Sequence, residues 1–227
     1  MCYRGVLMDA DETLFDFQAG NRRAVGQLLS EIGYTHPDGY DQYEANNLAC
    51  WAALERGEMT HAELQTLRWQ RFFEKYGIPA DGEKASLRFV ELLGQQAIML
   101  PHAEEVARAI AERLPLLILT NGSTAVQKSR LARSPLRDIA TDVVISQEVG
   151  YSKPRPEIFQ IALERLGITR DEALMIGDGV GSDIKGANSA GIDVCWYNPL
   201  HKTLPEGVHA EYEIDDLRDC VPIALSD

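Results

Sequence analysis

The sequence predicts an α/β fold: a parallel sheet with helices on both faces, carrying an inserted all-helical segment near its start. Three observations predict it. After Pro101, short apolar runs alternate with stretches of helical periodicity, and such alternation implies a parallel sheet buried on both faces. Between Phe17 and about Gln96 the spacing is helical throughout, which reads as an inserted bundle. Finally, the apolar runs ending at Met8, Leu119, Ile145 and Ile176 all give way to polar residues, and the carboxyl ends of parallel strands share one rim where ligands bind.

In chain order, residues 4–9 read as a short buried strand. Val25, Leu28, Leu29 and Ile32 repeat at helical spacing up to Gly33, and Tyr43, Asn47, Trp51 and Leu54 continue it in a second helix. Thr60 and Glu63 have capping-box spacing. They open a third helix with Leu64, Leu67, Trp69, Phe72, Phe73 and Tyr76, which stops at Gly77 and Pro79. A fourth helix is expected over 82–95 with Leu87, Val90 and Leu93 inward, and most of Trp51, Trp69, Phe72, Phe73 and Tyr76 are expected in the bundle core. Beyond Pro101, the pattern predicts helices at Val106 and Ile110, 126–133, 156–166 and 182–190, with a last helix from 215. Strands are predicted at 114–119, 142–145, 173–176, 194–197 and 212–214.

At 227 residues the chain has room for a full core with an insertion. The formal charge of -13 argues against a nucleic-acid polymer or an anionic membrane as partner, because such binding needs clustered Lys and Arg. Cys2, Cys50, Cys195 and Cys220 show no metal or redox spacing and are expected to be reduced. No apolar stretch reaches membrane-spanning length, and the first strand begins too close to Met1 for a signal peptide. A cytoplasmic monomer acting on a small molecule is the expectation.

The chemistry starts at Asp9 and Asp11. Residues i and i+2 at a strand end point the same way, so the two carboxylates converge; one can attack as a nucleophile while the other handles protons. Thr120 and Asn121 offer a hydroxyl and an amide, and Gly122 lets backbone N–H groups approach an oxyanion. Lys153 is held beside Pro154, and Asp178 and Asp183 follow the next apolar run. Singly, each cluster reads equally well as a turn, a helix cap or a surface lysine; four in order at four strand ends do not. Asp9, Asp11, Asp178 and Asp183 outnumber Lys153, and each like-charged pair at ~4 Å costs about 4 kcal/mol at an effective dielectric of about 20. Either carboxylates protonate or a hard dication sits among them, and an all-oxygen set suits Mg2+. Together these groups describe a site for phosphoryl transfer.

The set Asp9-Ala10-Asp11-Glu12-Thr13, Thr120-Asn121, Lys153-Pro154 and Gly177-Asp178 with Asp183 resembles the haloacid dehalogenase superfamily of phosphohydrolases along the whole chain. The resemblance implies a Rossmann-like core (1–15 and 97–227), a helical cap inserted at 16–96, Mg2+ dependence and an aspartyl-phosphate intermediate. Carried over by position, Asp9 would be the nucleophile and Asp11 the general acid and base. Thr120 and Lys153 would bind the phosphoryl group with Asn121 and Gly122. Asp9, Asp11, Asp178 and Asp183 would serve the metal, Asp183 from behind or through water. An acid at Asp11 implies an alkoxide leaving group, since a departing halide needs no proton.

Residues 9–17 (DADETLFDF), Tyr43 through Asn46 to Trp51, 119–122, 145–150, Cys195-Trp196-Tyr197-Asn198, His201 and Pro205-Glu206-Gly207 look like the bacterial pyrimidine 5′-nucleotidase branch. That implies substrates of the UMP, dUMP or dTMP kind. Gly179-Val180-Gly181 departs from the pattern, and the added glycine is expected to loosen the loop. Phe15 and Phe17 are candidates to pack on the base, and Asn46 to read its edge. His201 is the one histidine near the rim. The cap is expected to close over substrate, with hinges at 14–16 and 96–101. A sugar-phosphate phosphatase or mutase is the alternative on the same chemistry, and a binding protein without turnover the alternative of another class.

Overall fold

The computed structural model describes residues 3–226, with every side chain in that range except those of Glu55, His61 and Ala62. The chain divides into two compact units, Met1–Phe17 with Ala97–Asp227, and Gln18–Gln96. After strand β1 (Gly5–Met8), the second unit runs through α1 (Phe17–Glu31), α2 (Gly39–Glu55), α3 (His61–Tyr76) and α4 (Gly82–Gly94). The capping box forms at Thr60 and Glu63, and Asp81 caps α4 by accepting from the N–H groups of Glu83 and Lys84. Trp69, Phe72 and Phe73 are buried, with the Tyr43 and Trp69 rings stacked at 4.3 Å between centroids.

Two inward assignments are corrected. Trp51 is 40% exposed and Leu87 65%. In α2 the buried row is Tyr43, Asn46, Cys50 and Ala53, and in α4 it is Ala85, Phe89, Leu92 and Leu93. Each row follows the 3.6-residue period, and Trp51 and Leu87 lie about 100° or more off it.

The chain leaves and re-enters the sheet unit side by side. The Asp16 N–H donates to the Ile98 carbonyl and the Leu100 N–H to the Leu14 carbonyl, both at 2.9 Å, with Phe15 and Met99 forming an antiparallel bridge. Those bonds keep Asp16 and Phe17 with the sheet unit. From there the chain forms α5 (Ala103–Ala111), β2 (Leu116–Thr120), α6 (Thr124–Ala132), α7 (Leu136–Ile139), β3 (Asp142–Ile145), α8 (Ser146–Val149), α9 (Pro156–Leu166) and β4 (Ala173–Gly177). After a π turn (Val180–Ile184), α10 (Lys185–Ala190), β5 (Asp193–Tyr197), β6 (Tyr212–Ile214) and α11 (Cys220–Ala224) complete it. The short α7 and α8 carry too few residues to leave a periodic signal.

The strands make one six-stranded parallel sheet in the order β3-β2-β1-β4-β5-β6. Strand alternation divides its core in two: Val6, Met8, Leu116, Ile118, Leu174 and Ile176 pack with α5, α7 and α11, while Leu7, Leu117, Leu119 and Met175 pack with α9 and α10. Close packing on the second face needs Gly186, where a Cβ would stand 2.4 Å from the Phe159 ring. Cys50, Cys195 and Cys220 are buried thiols without disulfides, and Cys2 lies outside the described residues. Among the described residues, no helix is long and apolar enough to cross a membrane.

Candidate active site

Strand order reverses at the β1–β4 pair, and ligands bind at the carboxyl end of such a switch point. Met8 is in register with Ile118 on one side and Ile176 on the other, so Asp9 emerges level with the ends of β2 and β4; its N–H donates to the Ile176 carbonyl at 2.9 Å. The Lys153 ammonium, buried, lies 2.5 Å from Asp9 Oδ1 and 2.6 Å from Asp183 Oδ1, and donates to the Leu119 carbonyl at 2.8 Å. Asp9, Asp178 and Asp183 each place one carboxylate oxygen within 4.8 Å of the others.

Three carboxylates around one ammonium leave the cluster negative, and burial magnifies the imbalance. Burial, then the Asp183 charge, hold the Asp9 carboxyl well above the usual carboxylate range, with Lys153 pulling it down. Asp178 is pushed up to about 7 by burial and by Asp183. Burial works against the Lys153 ammonium, but the Asp183 and Asp9 charges outweigh it and raise its pKa. A compact set of hard oxygen donors with surplus negative charge fits Mg2+.

The loop after β4 is tight at Gly179. A Cβ there would stand 2.2 Å from Ser182 Oγ and 2.8 Å from Asp183 Oδ2, and one at Gly177 would stand 2.5 Å from the same oxygen. Absence of side chains lets Asp183 fold back to accept the Gly179 N–H at 2.9 Å, while the Asp183 N–H returns to the Gly179 carbonyl at 2.7 Å. The expected loosening is therefore corrected: the glycines permit closure of the π turn, and only Gly181 faces open space.

Asp11 occupies different surroundings. Its Oδ1 pairs with Arg130 Nη1, and its Oδ2 accepts from Gln127 Nε2 at 2.8 Å. The expectation that its side chain joins the metal set is corrected, because both oxygens are taken by α6. Sequence reasoning misses Gln127 and Arg130. Their one signal is a polar residue and a charge on the same inward face of α6 as Val126 and Leu131.

The remaining predicted residues separate into structural and rim positions. Thr120 ends β2, buried, and its Oγ1 accepts from the Gly122 N–H and from Gln127 Nε2, both at 3.2 Å. The Asn121 side chain and the Gly122 N–H both have partners within the protein. The Asn121 amide clamps the Lys153 main chain in both directions, donating to its carbonyl at 2.9 Å and accepting its N–H at 2.8 Å, while the Gly122 N–H is spent on Thr120. Phe15 is corrected too: it has no exposed face, and the Arg130 guanidinium lies 4.2 Å from its ring centroid. Asn46 is buried among the helices and donates to the Arg68 carbonyl at 2.6 Å, so its amide serves the fold of that unit. Phe17, half-buried, begins α1. His201 is exposed, 3.9 Å from Asp215, and stands apart from the acidic trio.

Known proteins resemble this chain over nearly its whole length. The pyrimidine 5′-nucleotidase PynA of Streptococcus pneumoniae is 37% identical, covering 97% of this chain and 96% of its own length. The pyrimidine 5′-nucleotidase YjjG of Escherichia coli is 34% identical, covering 94% of each. The HAD-hydrolase YfnB of Bacillus subtilis, solved with magnesium bound, superposes with a TM-score of 0.90 at 31% identity over 99% of both chains. The family model for haloacid dehalogenase-like hydrolases matches residues 3–191. With that match and a rim built from Asp9, Thr120, Lys153 and Asp178, the chain belongs to the haloacid dehalogenase-like hydrolase family.

Proposed function

We propose that this chain is a Mg2+-dependent phosphoric monoester hydrolase that removes the 5′-phosphate from pyrimidine nucleoside monophosphates through a phosphoaspartate on Asp9. The observation that carries the chemistry is the Asp9 carboxylate held 2.5 Å from a buried ammonium inside an acidic trio, with a second carboxylate two residues away in a separate, charge-balanced setting. The substrate class is supported by likeness to PynA and YjjG, both named pyrimidine 5′-nucleotidases. On this reading the sheet unit is the catalytic core and residues 18–96 are an inserted cap that selects the leaving group.

In the first step an Asp9 oxygen bonds to phosphorus, the ester P–O bond breaks, and Asp11 gives its proton to the departing 5′-oxygen. Water then attacks phosphorus, its proton passes to the Asp11 carboxylate, and the bond from phosphorus to Asp9 breaks to free phosphate. Lys153 and the Thr120 hydroxyl hold phosphoryl oxygens, and the Asn121 clamp keeps Lys153 in place. Asp9, Asp178 and Asp183 would hold the dication, which supplies charge neutralisation for the phosphoryl oxygens when bound. The free, buried thiols of Cys50, Cys195 and Cys220 support a cytoplasmic setting.

Phosphate release from UMP, dUMP, dTMP, AMP, glucose 6-phosphate and an aryl phosphate, with Mg2+ and with chelator, tests the reading. Chelator-sensitive release favouring the pyrimidine nucleotides is the expected outcome. Release from sugar or aryl esters alone would remove the nucleotidase assignment, and no release from metal-loaded protein would remove the hydrolytic mechanism.

A further inference from the structure

We propose that Gln127 and Arg130 are a positioning pair that sets both partners of the nucleophile, aiming the Asp11 carboxylate for proton transfer and making the Thr120 hydroxyl a dedicated donor. The proposal rests on the reading above that Asp11 is the acid and base and Thr120 a phosphoryl binder.

Three residues apart on α6, Gln127 and Arg130 share one face, and each is 1% exposed. Taking a guanidinium out of water carries a large desolvation penalty that pairing only offsets, and apolar residues of similar size commonly replace buried ion pairs without loss of stability. A filler for this space would not need a charge. Arg130 is itself held, its guanidinium lying 4.2 Å from the centroid of the buried Phe15 ring. With Arg130 Nη1 on Oδ1 and Gln127 Nε2 on Oδ2, the Asp11 carboxylate is gripped at both oxygens although its side chain is 28% exposed. Such a grip fixes the direction of the carboxylate while leaving an edge open for a proton to cross.

Gln127 also acts on the other partner. A hydroxyl has one proton to donate and two lone pairs to accept with. Thr120 Oγ1 accepts from Gln127 Nε2 and from the Gly122 N–H, so both lone pairs are filled and its proton is what remains to offer an oxyanion. Gly122 makes the arrangement possible, because a Cβ there would stand 2.2 Å from Gln127 Nε2. One amide therefore ties the proton-transfer group to the phosphoryl-binding group, and one arginine completes the hold on the former.

The test compares two leaving groups in the full-length protein with Mg2+. A nucleoside 5′-monophosphate leaves as an alkoxide that needs a proton; p-nitrophenyl phosphate leaves as a stabilised phenolate that does not. Wild type, Arg130→Lys, Arg130→Met and Gln127→Met are first checked for fold by circular dichroism. Arg130→Met is expected to lose about 100-fold in kcat/KM, which reports the steps up to leaving-group departure, on the nucleotide and less than about 10-fold on the aryl ester, with Arg130→Lys recovering part of the difference. Gln127→Met should show the same skew and, because the Thr120 proton is no longer directed outward, bind inorganic phosphate about 10-fold more weakly as an inhibitor. Equal losses in kcat/KM on both esters in a folded variant would reduce the pair to a structural latch and overturn the proposal. Gln127→Met removes no charge, so the comparison of the two esters still decides the matter if Arg130→Met fails to fold. Wild type that hydrolyses neither ester would instead overturn the phosphatase reading on which the proposal stands.

Discussion

Asp9 and Asp11 are separated by one residue, yet their surroundings are opposite. Asp9 is crowded, sharing one ammonium with Asp183 and lying within reach of Asp178, so its side of the site carries more negative than positive charge. Asp11 is balanced, with one guanidinium and one amide for its two oxygens. The strand aims both carboxylates toward the same rim, but the charges around Asp9 come from loops after β3 and β4, and those around Asp11 from α6. Identical side chains acquire different surroundings through the elements that reach them, the imbalance inviting a dication and the balance suiting a group that gains and loses a proton.

Mutating each side in turn breaks or sharpens that contrast. Asp9→Asn should lower phosphate release by about 10⁴-fold or more, since no bond to phosphorus can form; turnover near wild type would end the assignment of Asp9 as nucleophile. Lys153→Met strands Asp9 and Asp183 in a buried site, and urea titration in chelator should find the fold weakened by about 3–5 kcal/mol. Were the loss negligible, the crowding around Asp9 would be relieved by protonation alone. Asp11→Asn should cost about 10²–10⁴-fold in kcat/KM on nucleotide substrates and far less on p-nitrophenyl phosphate, and a uniform loss in kcat/KM would mean that the balanced side serves the fold.

The smallest effect concerns Asp178, whose carboxyl stands at about 7 because of burial and Asp183. Its ordinary unfolded value is about 4, so between about pH 4 and 7 the folded chain binds the extra proton and its stability from this group falls as pH rises. In chelator, Asp178→Asn should match the wild-type melting temperature near pH 4 and exceed it by a few degrees near pH 7, while losing the rise that Mg2+ gives the wild type. A constant difference across that range, read by scanning fluorimetry, would show that Asp178 does not feel the cluster.

Asp9, Thr120 and Asp178 are legible in the sequence for one physical reason: in a parallel sheet the register of buried strands places the first polar residues after each run on one rim. Lys153 belongs to that series through its place after β3. Gln127 and Arg130 are not legible, because a helix surface gives no sign of which inward polar residue will find a partner on a distant loop. Phe15 and Asn46 mislead for the converse reason. Their chemistry suits a base, but burial commits Phe15 to Arg130 and Asn46 to the Arg68 carbonyl. Trp51 and Leu87 belong to helices whose apolar residues suggest a stripe about one step out of phase with the buried one, an offset that composition does not reveal.

The paired passage at Leu14–Leu100 and Asp16–Ile98 has a consequence for how the chain can change over time. Closing a loop costs free energy that grows only as the logarithm of its length, and here the two ends are already fastened to each other within the sheet unit. Residues 18–96 therefore hang from a closed junction. An ancestor could lengthen, replace or delete that segment while the strands bearing Asp9, Thr120 and Asp178 kept their register. Such a junction lets lineages explore new insertions at little risk to the fold that hosts them.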